Sequence, residues 1–293
     1  MTRTPSTNRS NRTWFCGIAV GAVCTLLACS GPDPIGSSEI GGSSGSHGPN
    51  GGGGIDLSTS PSGTGTGGDT GSGDGATCSN VLAVVFRDFR CADDTTGARH
   101  PDFEQPNIVQ DKGIVEAALG TDHKPVYAHG STNTQTVQSN DTFSQWYRDT
   151  DGVNKRIESS LTLTPSTADP GVNIYDSSAF FPIDGKGWGN QQCQGGQHNY
   201  SFTTEIHTTF TYKGGETFKF TGDDDVFAFV NNQQIIDLGG IHAALSATVS
   251  MDAQGLTVGQ TYPMDIFHAE RHVVQSNFRM ETRFDCLTSY IIP

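Results

Sequence analysis

The chain has 293 residues, a formal net charge of −14, 34% hydrophobic residues and 37 glycines. One or two domains fit that length. With 31 acidic against 17 basic side chains, nucleic acid and anionic membrane surfaces are disfavoured as partners, whereas calcium, a cationic partner or a neutral ligand such as sugar suits the charge.

The N-terminus has the layout of an export signal, assigned to residues 1–28. Arg3, Arg9 and Arg12 give a positive start, and Trp14 to Ala28 is an apolar run too short for a membrane span. It ends Leu26-Leu27-Ala28-Cys29, which resembles the bacterial lipobox. That resemblance implies a diacylated Cys29 and anchoring at the outer membrane or cell surface of a bacterium. Loss of the signal leaves 14 basic against 31 acidic residues, a net charge of −17. Residues 29–77 then form a tether. They are Gly, Ser, Thr, Pro and Asp with almost nothing to bury, a composition that cannot offset its ordering entropy. Its mean reach is roughly 40 Å. One domain remains, 78–293.

That domain keeps Cys78, Cys91, Cys193 and Cys286, an even number in an exported segment, and two disulfides are expected. Three pairings are open. Cys78–Cys286 is favoured because the two bracket the domain, which leaves Cys91–Cys193. The spacing lacks the CxxC of a zinc site.

Taken in order, Val81 to Phe89 reads as a strand with Leu82, Val84 and Phe86 on one face. Cys91 to Pro106 reads as a polar loop, Ile108 to Leu119 as a short helix, and Phe143 to Tyr147 as the opening of a loop. Ile157, Leu161 and Leu163 mark the inner face of a further strand, and Gly185 to Gln197 is a surface loop. Tyr200 to Lys213 alternates Phe202, Ile206, Phe210 and Tyr212 with polar residues, as an amphipathic strand does. Gly214-Gly215 signals a hairpin into Thr217 to Thr221. Val226, Ala228 and Val230 share one face of the next strand, and Phe227 and Phe229 the other. A strand apolar on both faces lies between packed layers. Asn231-Asn232 suits a tight turn with positive φ. Ile235 to Leu238, Ala247 to Met251, Tyr262 to His268 and Phe278 to Phe284 complete the strands. Frequent Gly and Asn turns and no long helix predict an all-β antiparallel sandwich with long loops.

Several blocks resemble the fibro-slime domain family. GDDDVFAFVNNQQIIDLGGIH and HAERHVVQSNFRMET look like its two signatures, and FSQWYRDTDGVNKRI, FFPIDGKGWGN and TTEIHTTFTYKGGETFKFTG resemble further blocks in the expected order. That family is similar to the protective-antigen-type β-sandwich of toxins, glycosidases, flocculins and adhesins. The resemblance implies an extracellular, non-catalytic, often carbohydrate-binding module. In the lectin branch two adjacent Asp, joined by a cis peptide, bind calcium. On that register Asp223 and Asp224 match the pair, Asp225 stands where glycine is usual, and Asn231 matches a following turn. Glu270 and Asn277 stand where a second ligand loop supplies oxygens.

Calcium takes six to eight oxygen ligands, which adjacent carboxylates and carbonyls provide. The plainer reading of Asp223 to Asp225 is a solvated acidic turn. His268-x-Glu270-x-His272 would put three ligands on one strand face, with His242 nearby, as a zinc site requires. A hydrogen-bonded network in which these histidines and Arg271 brace a loop is favoured over it. Trp146, Tyr147, Trp188 and Tyr200 sit in or beside loops, where aromatics stack on sugars or plug a core. The ligand-binding candidates are thus Trp146, Trp188, His242, His268, Arg271 and His272. No pair of carboxyls is marked as a glycosidase dyad, and no nucleophile elbow, Walker loop or HExxH occurs. The expected function is calcium-assisted binding of glycan or extracellular matrix in adhesion. The alternative is a structural component of extracellular fibre or slime that self-associates, and a glycan hydrolase ranks lowest.

Overall fold

A computed structural model describes residues 78–91, 99–190 and 197–293. The signal, the tether, the lipidation position Cys29 and Cys193 all lie outside the described residues. The described residues fall within one unit, Thr70–Pro293.

Two antiparallel sheets carry the fold. The larger runs β2-β1-β5-β10-β7-β8, and the smaller β3-β4-β11-β6-β9. The strands are β1 (Val81–Phe89), β2 (Asn154–Thr162), β3 (Thr164–Pro165), β4 (Asn173–Ser177), β5 (Phe202–Thr211), β6 (Thr217–Gly222), β7 (Asp225–Val230), β8 (Gln233–Leu238), β9 (Leu245–Ser250), β10 (Thr261–Glu270), β11 (Phe278–Thr282) and β12 (Leu287–Tyr290). β12 pairs with β5 over His207 to Phe210, beyond the stretch that β1 occupies.

Alternation builds the core. Leu82, Val84 and Phe86 of β1, Phe202, Ile206 and Phe210 of β5, and Val226, Ala228 and Val230 of β7 face inward. They meet Phe218 and Phe220 of β6 and Phe278 and Met280 of β11 from the smaller sheet. Each fully buried large apolar side chain contributes roughly 1.5–3 kcal/mol.

The outer face of the larger sheet is also covered. Phe227, Phe229 and Phe267 pack there against Phe103, Ile114, Leu119, Tyr127, Phe143 and Trp146. Residues 100–147 therefore form a third layer, held by isolated bridges Gln110↔Gly240 and Val115↔Tyr127 rather than by strands. This is why β7 is apolar on both faces.

Three expectations are corrected here. Ile108 to Leu119 is not a helix: Gly113 takes φ +77, and the segment buries Ile114, Val115 and Leu119 as an irregular chain. The one α-helix among the described residues, α1 (Asn140–Ser144), instead begins the stretch read as a loop. Its Ser139 side chain accepts the Thr142 amide at 3.1 Å, capping the first turn. Gly214-Gly215, both at positive φ, does not close a hairpin. The chain there passes from β5 in one sheet to β6 in the other. The hairpin lies at Asn231-Asn232, φ 50 and 61, between paired Val230 and Gln233.

Cys78–Cys286 is a disulfide, closing 208 residues of sequence separation. Cys91 is disulfide-bonded as well.

Candidate functional site

β6 ends at Gly222 in the smaller sheet and β7 begins at Asp225 in the larger. Asp223 and Asp224 are the step between sheets, and the peptide joining them is cis. Gly222 is needed at the step, because a Cβ there would lie 2.5 Å from the Asn277 carbonyl. The Asn277 backbone N–H and side-chain Nδ2 donate to Asp223 Oδ1 and Oδ2 at 2.5 and 3.0 Å. Asp224 accepts the backbone N–H of His242 at 2.9 Å and of Arg271 at 3.1 Å. Both carboxylates thus keep their places through amides from two other segments.

Asp225 turns the other way. Its Oδ2 accepts from Arg271 Nε at 2.6 Å and its Oδ1 from the Gly240 N–H at 2.6 Å. Both side chains of the ion pair are 0% exposed. The Arg271 guanidinium also donates to the carbonyls of Asp102 and Thr136, at 2.9 and 2.8 Å, and lies 4.5 Å over the Trp146 ring. Trp146 Nε1 donates to Asp102 at 3.0 Å. Arg271 therefore ties the acidic step to the third layer.

Glu270, the last residue of β10, lies behind this step. It is 0% exposed, and neither carboxylate oxygen has a hydrogen-bond partner among the described residues. Burial first, then the Asp224 charge, pushes its carboxyl well above the usual range, although Ser276 and the His272 amide lie near enough to oppose this. Burial also raises Asp224 strongly, opposed by Arg271 and reinforced by Asp225. It raises Asp225 despite Arg271. His268 is lowered to about 4 by burial. As a neutral ring it faces the Asp223 carbonyl with Nε2 at 2.8 Å and the Thr204 hydroxyl with Nδ1 at 3.1 Å.

A cleft of about 150 Å³ opens beside the step, lined by Ile108, Asp223, Asp224, Ile241, His242 and Gln275. Ile108 and Val274, on its rim, are 64% and 78% exposed. Asp223 and Asp224 meet Asn277, 54 residues on from Asp223, and Glu270 of the same later segment beside the cleft. Among the described residues no three His, Cys, Asp or Glu side chains stand ready in metal-holding geometry. Any ion here would need the Asn277 amide or backbone oxygens as well.

The other candidates are placed elsewhere. Asn231 is at the far end of β7, six residues from Asp225 and so ~20 Å away at ~3.3 Å per residue. It serves the β7–β8 turn, not the acidic step. Asp225 has its charge met by Arg271 in an ion pair that is 0% exposed on both sides, and it does not line the cleft. Trp146, His268 and Arg271 are 0% exposed, so they touch no ligand from solvent. Trp188 is half-buried with Arg90 at 3.4 Å and Lys155 at 3.8 Å over its ring, which leaves no clear face for a sugar. Its backbone N–H donates to Asp88, a carboxyl raised to about 6 by burial. The histidines do not converge: His242 lies against the Ala243 and Leu238 carbonyls, and His272 lies 3.9 Å from Glu104. Of the six ligand-binding candidates, only His242 and His272 reach the cleft.

A second charged group was not foreseen. On the outer face of β5, Glu205 accepts from Arg87 at 2.5 Å, from Lys124 of the third layer and from His207 at 2.6 Å. His207 Nδ1 meets Asp265 at 2.6 Å, and Tyr290 stacks on its ring. The polar side of this amphipathic strand is therefore a buried ion network.

Comparison with known proteins adds relatives. The chain is 41% identical to Protein psiR of Dictyostelium discoideum over 200 residues, 64% of this chain and 20% of that protein. It is 41% identical to Protein psiC of the same organism over 204 residues, 66% of this chain and 40% of that protein. The chain thus spans between a fifth and two fifths of these two relatives. Among solved structures it is similar to the PA14 domain of the MpAFP antifreeze protein, at 11% identity and TM-score 0.28, covering 77% of this chain and 93% of that one. It is also similar to a PA14 sugar-binding domain from an RTX adhesin, at 11% identity and TM-score 0.26, covering 68% and 88%. The all-β sandwich matches the PA14 domain family over residues 165–289, a span that holds the acidic step, Glu270 and Asn277.

Proposed function

We propose that this domain is a non-catalytic, extracellular binding module of the fibro-slime type, in which calcium at the acidic step presents the cleft to a glycan or matrix polymer in adhesion. Glu270 is the observation that carries the reading. A fully buried carboxyl with both oxygens unpaired costs several kcal/mol unless it is neutral or meets a cation. Two further carboxylates and a carboxamide lie beside it. The donor set is all oxygen, which suits a hard cation of variable coordination. Asp223, Asp224, Glu270 and Asn277 would hold the ion, and its remaining coordination positions would be open to ligand hydroxyls. The aliphatic rim, Ile108 and Val274, would cover an apolar ring face. Asp223 and Asp224 are already fixed by backbone amides, so they act as positioned ligands rather than as a proton-transfer pair. Lipid on Cys29 and the segment that follows it would hold the domain at the outer surface of a bacterial cell.

The test is thermal melting with calcium and with chelator, on the parent and on Glu270→Gln. A ligand at a hundredfold excess over its Kd stabilises by about 2.7 kcal/mol. The parent should gain that order of stability in calcium. Glu270→Gln should melt no lower than the parent in chelator and should lose the calcium response. A parent indifferent to calcium, or a variant that still responds fully, overturns the cation. A glycan array in calcium and in chelator then tests the ligand: sugar binding abolished by chelator is expected, and a calcium response without sugar binding turns the reading to a structural fibre component.

A further inference from the structure

A sheet edge presents a row of unpaired N–H and C=O groups, and proteins blunt such edges with charge, proline, short length or a covering segment. Among the described residues the two sheets end in β2, β8, β3 and β9, and the first three of these edges are blunted. β2 carries Lys155, Arg156 and Glu158. β8 is covered by the third layer: the Gln234 N–H donates to the Ala117 carbonyl at 2.9 Å, and the Asp111 N–H to the Gly239 carbonyl at 2.7 Å. β3 is two residues long and ends in Pro165.

β9 has none of these devices. Its six residues, LSATVS, contain no charge, proline or glycine. Among the described residues it pairs only with β6, and no backbone hydrogen bond leaves its other side. Leu245, Ala247 and Val249 pack on the core yet remain only half-buried, while Ser246, Thr248 and Ser250 are exposed. The strand is thus an open edge with apolar surface still to bury. It is also uncharged in a chain of net charge −14, so two copies meet there with least repulsion.

We propose that β9 is a self-association edge, at which a second copy of this chain adds its own β9 antiparallel to form one continuous sheet of ten strands. Opposed residues in an antiparallel pair point to the same face. The two-fold must therefore pass between two copies of one residue, Ala247 or Thr248. Centred on Thr248, it sets Thr248 opposite Thr248, Ser246 opposite Ser250, and Ala247 opposite Val249. Hydroxyls then meet hydroxyls outside and apolar side chains meet inside. The Leu245 end of β9 pairs with Gly222, beside the acidic step. The two-fold accordingly sends the two clefts to opposite ends of the joined sheet. A dimer so built bridges two ligands rather than gripping one surface twice.

Sedimentation velocity on the purified full chain tests this. The parent should show a concentration-dependent dimer, in calcium and in chelator alike, since β9 stands outside the cleft. Thr248→Lys and Thr248→Asp each set like charges opposite one another and should weaken association by about tenfold or more. An equimolar mixture of the two should recover the dimer, which shows that both variants are folded. Ser160→Lys, on the β2 edge, should leave it unchanged. A parent monomeric at its highest soluble concentration, a dimer untouched by either Thr248 variant, or a mixture that stays monomeric overturns the proposal. A dimer lost in chelator places the contact at the cleft and overturns it too.

Discussion

Arg271→Met removes the cation from a pair in which both side chains are fully buried. Asp225 would keep the Gly240 amide but lose its compensating charge, and the Asp102 and Thr136 carbonyls would lose donors at 2.9 and 2.8 Å. Breaking a buried pair from one side costs about 3–5 kcal/mol, chiefly because it leaves an unpaired charge in the interior. Asp225→Asn should cost somewhat less, since Arg271 keeps two carbonyls, the Thr136 hydroxyl and the Trp146 face. The double variant lacks both charges and should lie at least about 1.5 kcal/mol below the sum of the singles. Denaturant unfolding of the three variants gives the cycle. Trp146, 0% exposed in the parent, reports by fluorescence whether the third layer has loosened. A loss below about 1 kcal/mol in Arg271→Met, or strict additivity, would refute the claim that this pair ties the third layer to the sandwich.

Two other outcomes are expected. Glu205 is held at about 2, because hydrogen bonding from His207 and the Arg87 and Lys124 charges outweigh its burial; its stabilisation is present above its ordinary 4.5 and lost as pH falls from there toward about 2. His207 is raised despite burial by its bonds to Asp265 and Glu205; its stabilisation is full below its ordinary 6.5 and lost as pH rises through the raised value. Stability from this network should therefore peak between about pH 4.5 and 6.5, and His207→Gln should flatten the alkaline side; a melting temperature that falls neither below pH 4.5 nor above pH 6.5 would count against the network. Cys29→Ala should move the protein from the membrane pellet to the soluble fraction of expressing cells, because stable anchoring needs more than one acyl chain and this residue would carry them; continued pelleting would remove the lipid anchor from the account.

Most strands were legible because an apolar period of two is a local signal. β1 falls at Val81–Phe89, as its alternation indicates, and the two-sided apolar run of β7 announced a layer on each side. The nature of the second layer was not legible. Residues 100–147 bury Phe103, Ile114, Leu119, Phe143 and Trp146 at spacings that follow neither helix nor strand, broken by Gly and Pro, so they read as loop apart from a short helix at Ile108 to Leu119 that does not form. The polar face of β5 misled for a related reason. Thr203, Glu205 and His207 look solvent-facing, but their partners come from β1, β10 and the third layer, with Arg87 separated from Glu205 by 118 residues. A local pattern carries no trace of a partner so distant. Glycine pairs likewise mark a turn without saying which sheet the chain enters next, as Gly214-Gly215 shows.

The acidic triplet is the instructive case, because its division was readable from the same alternation. A period of two puts Asp225 on the face of Phe227 and Phe229, which points to the third layer, and puts Arg271 on the face of Phe267 and Ala269. Ala269 pairs with Asp225 across β10 and β7, which brings Arg271 one step along the same face. A carboxylate and a guanidinium adjacent on a doubly buried face must pair, since neither tolerates that environment alone. Asp225 is thereby committed to the interior. Asp223 and Asp224 precede the strand, escape its alternation, and are the two carboxylates left to face the cleft. The charge that makes the triplet look like one acidic cluster is thus two devices in sequence, a structural pair on the strand and a site-forming pair at the step before it.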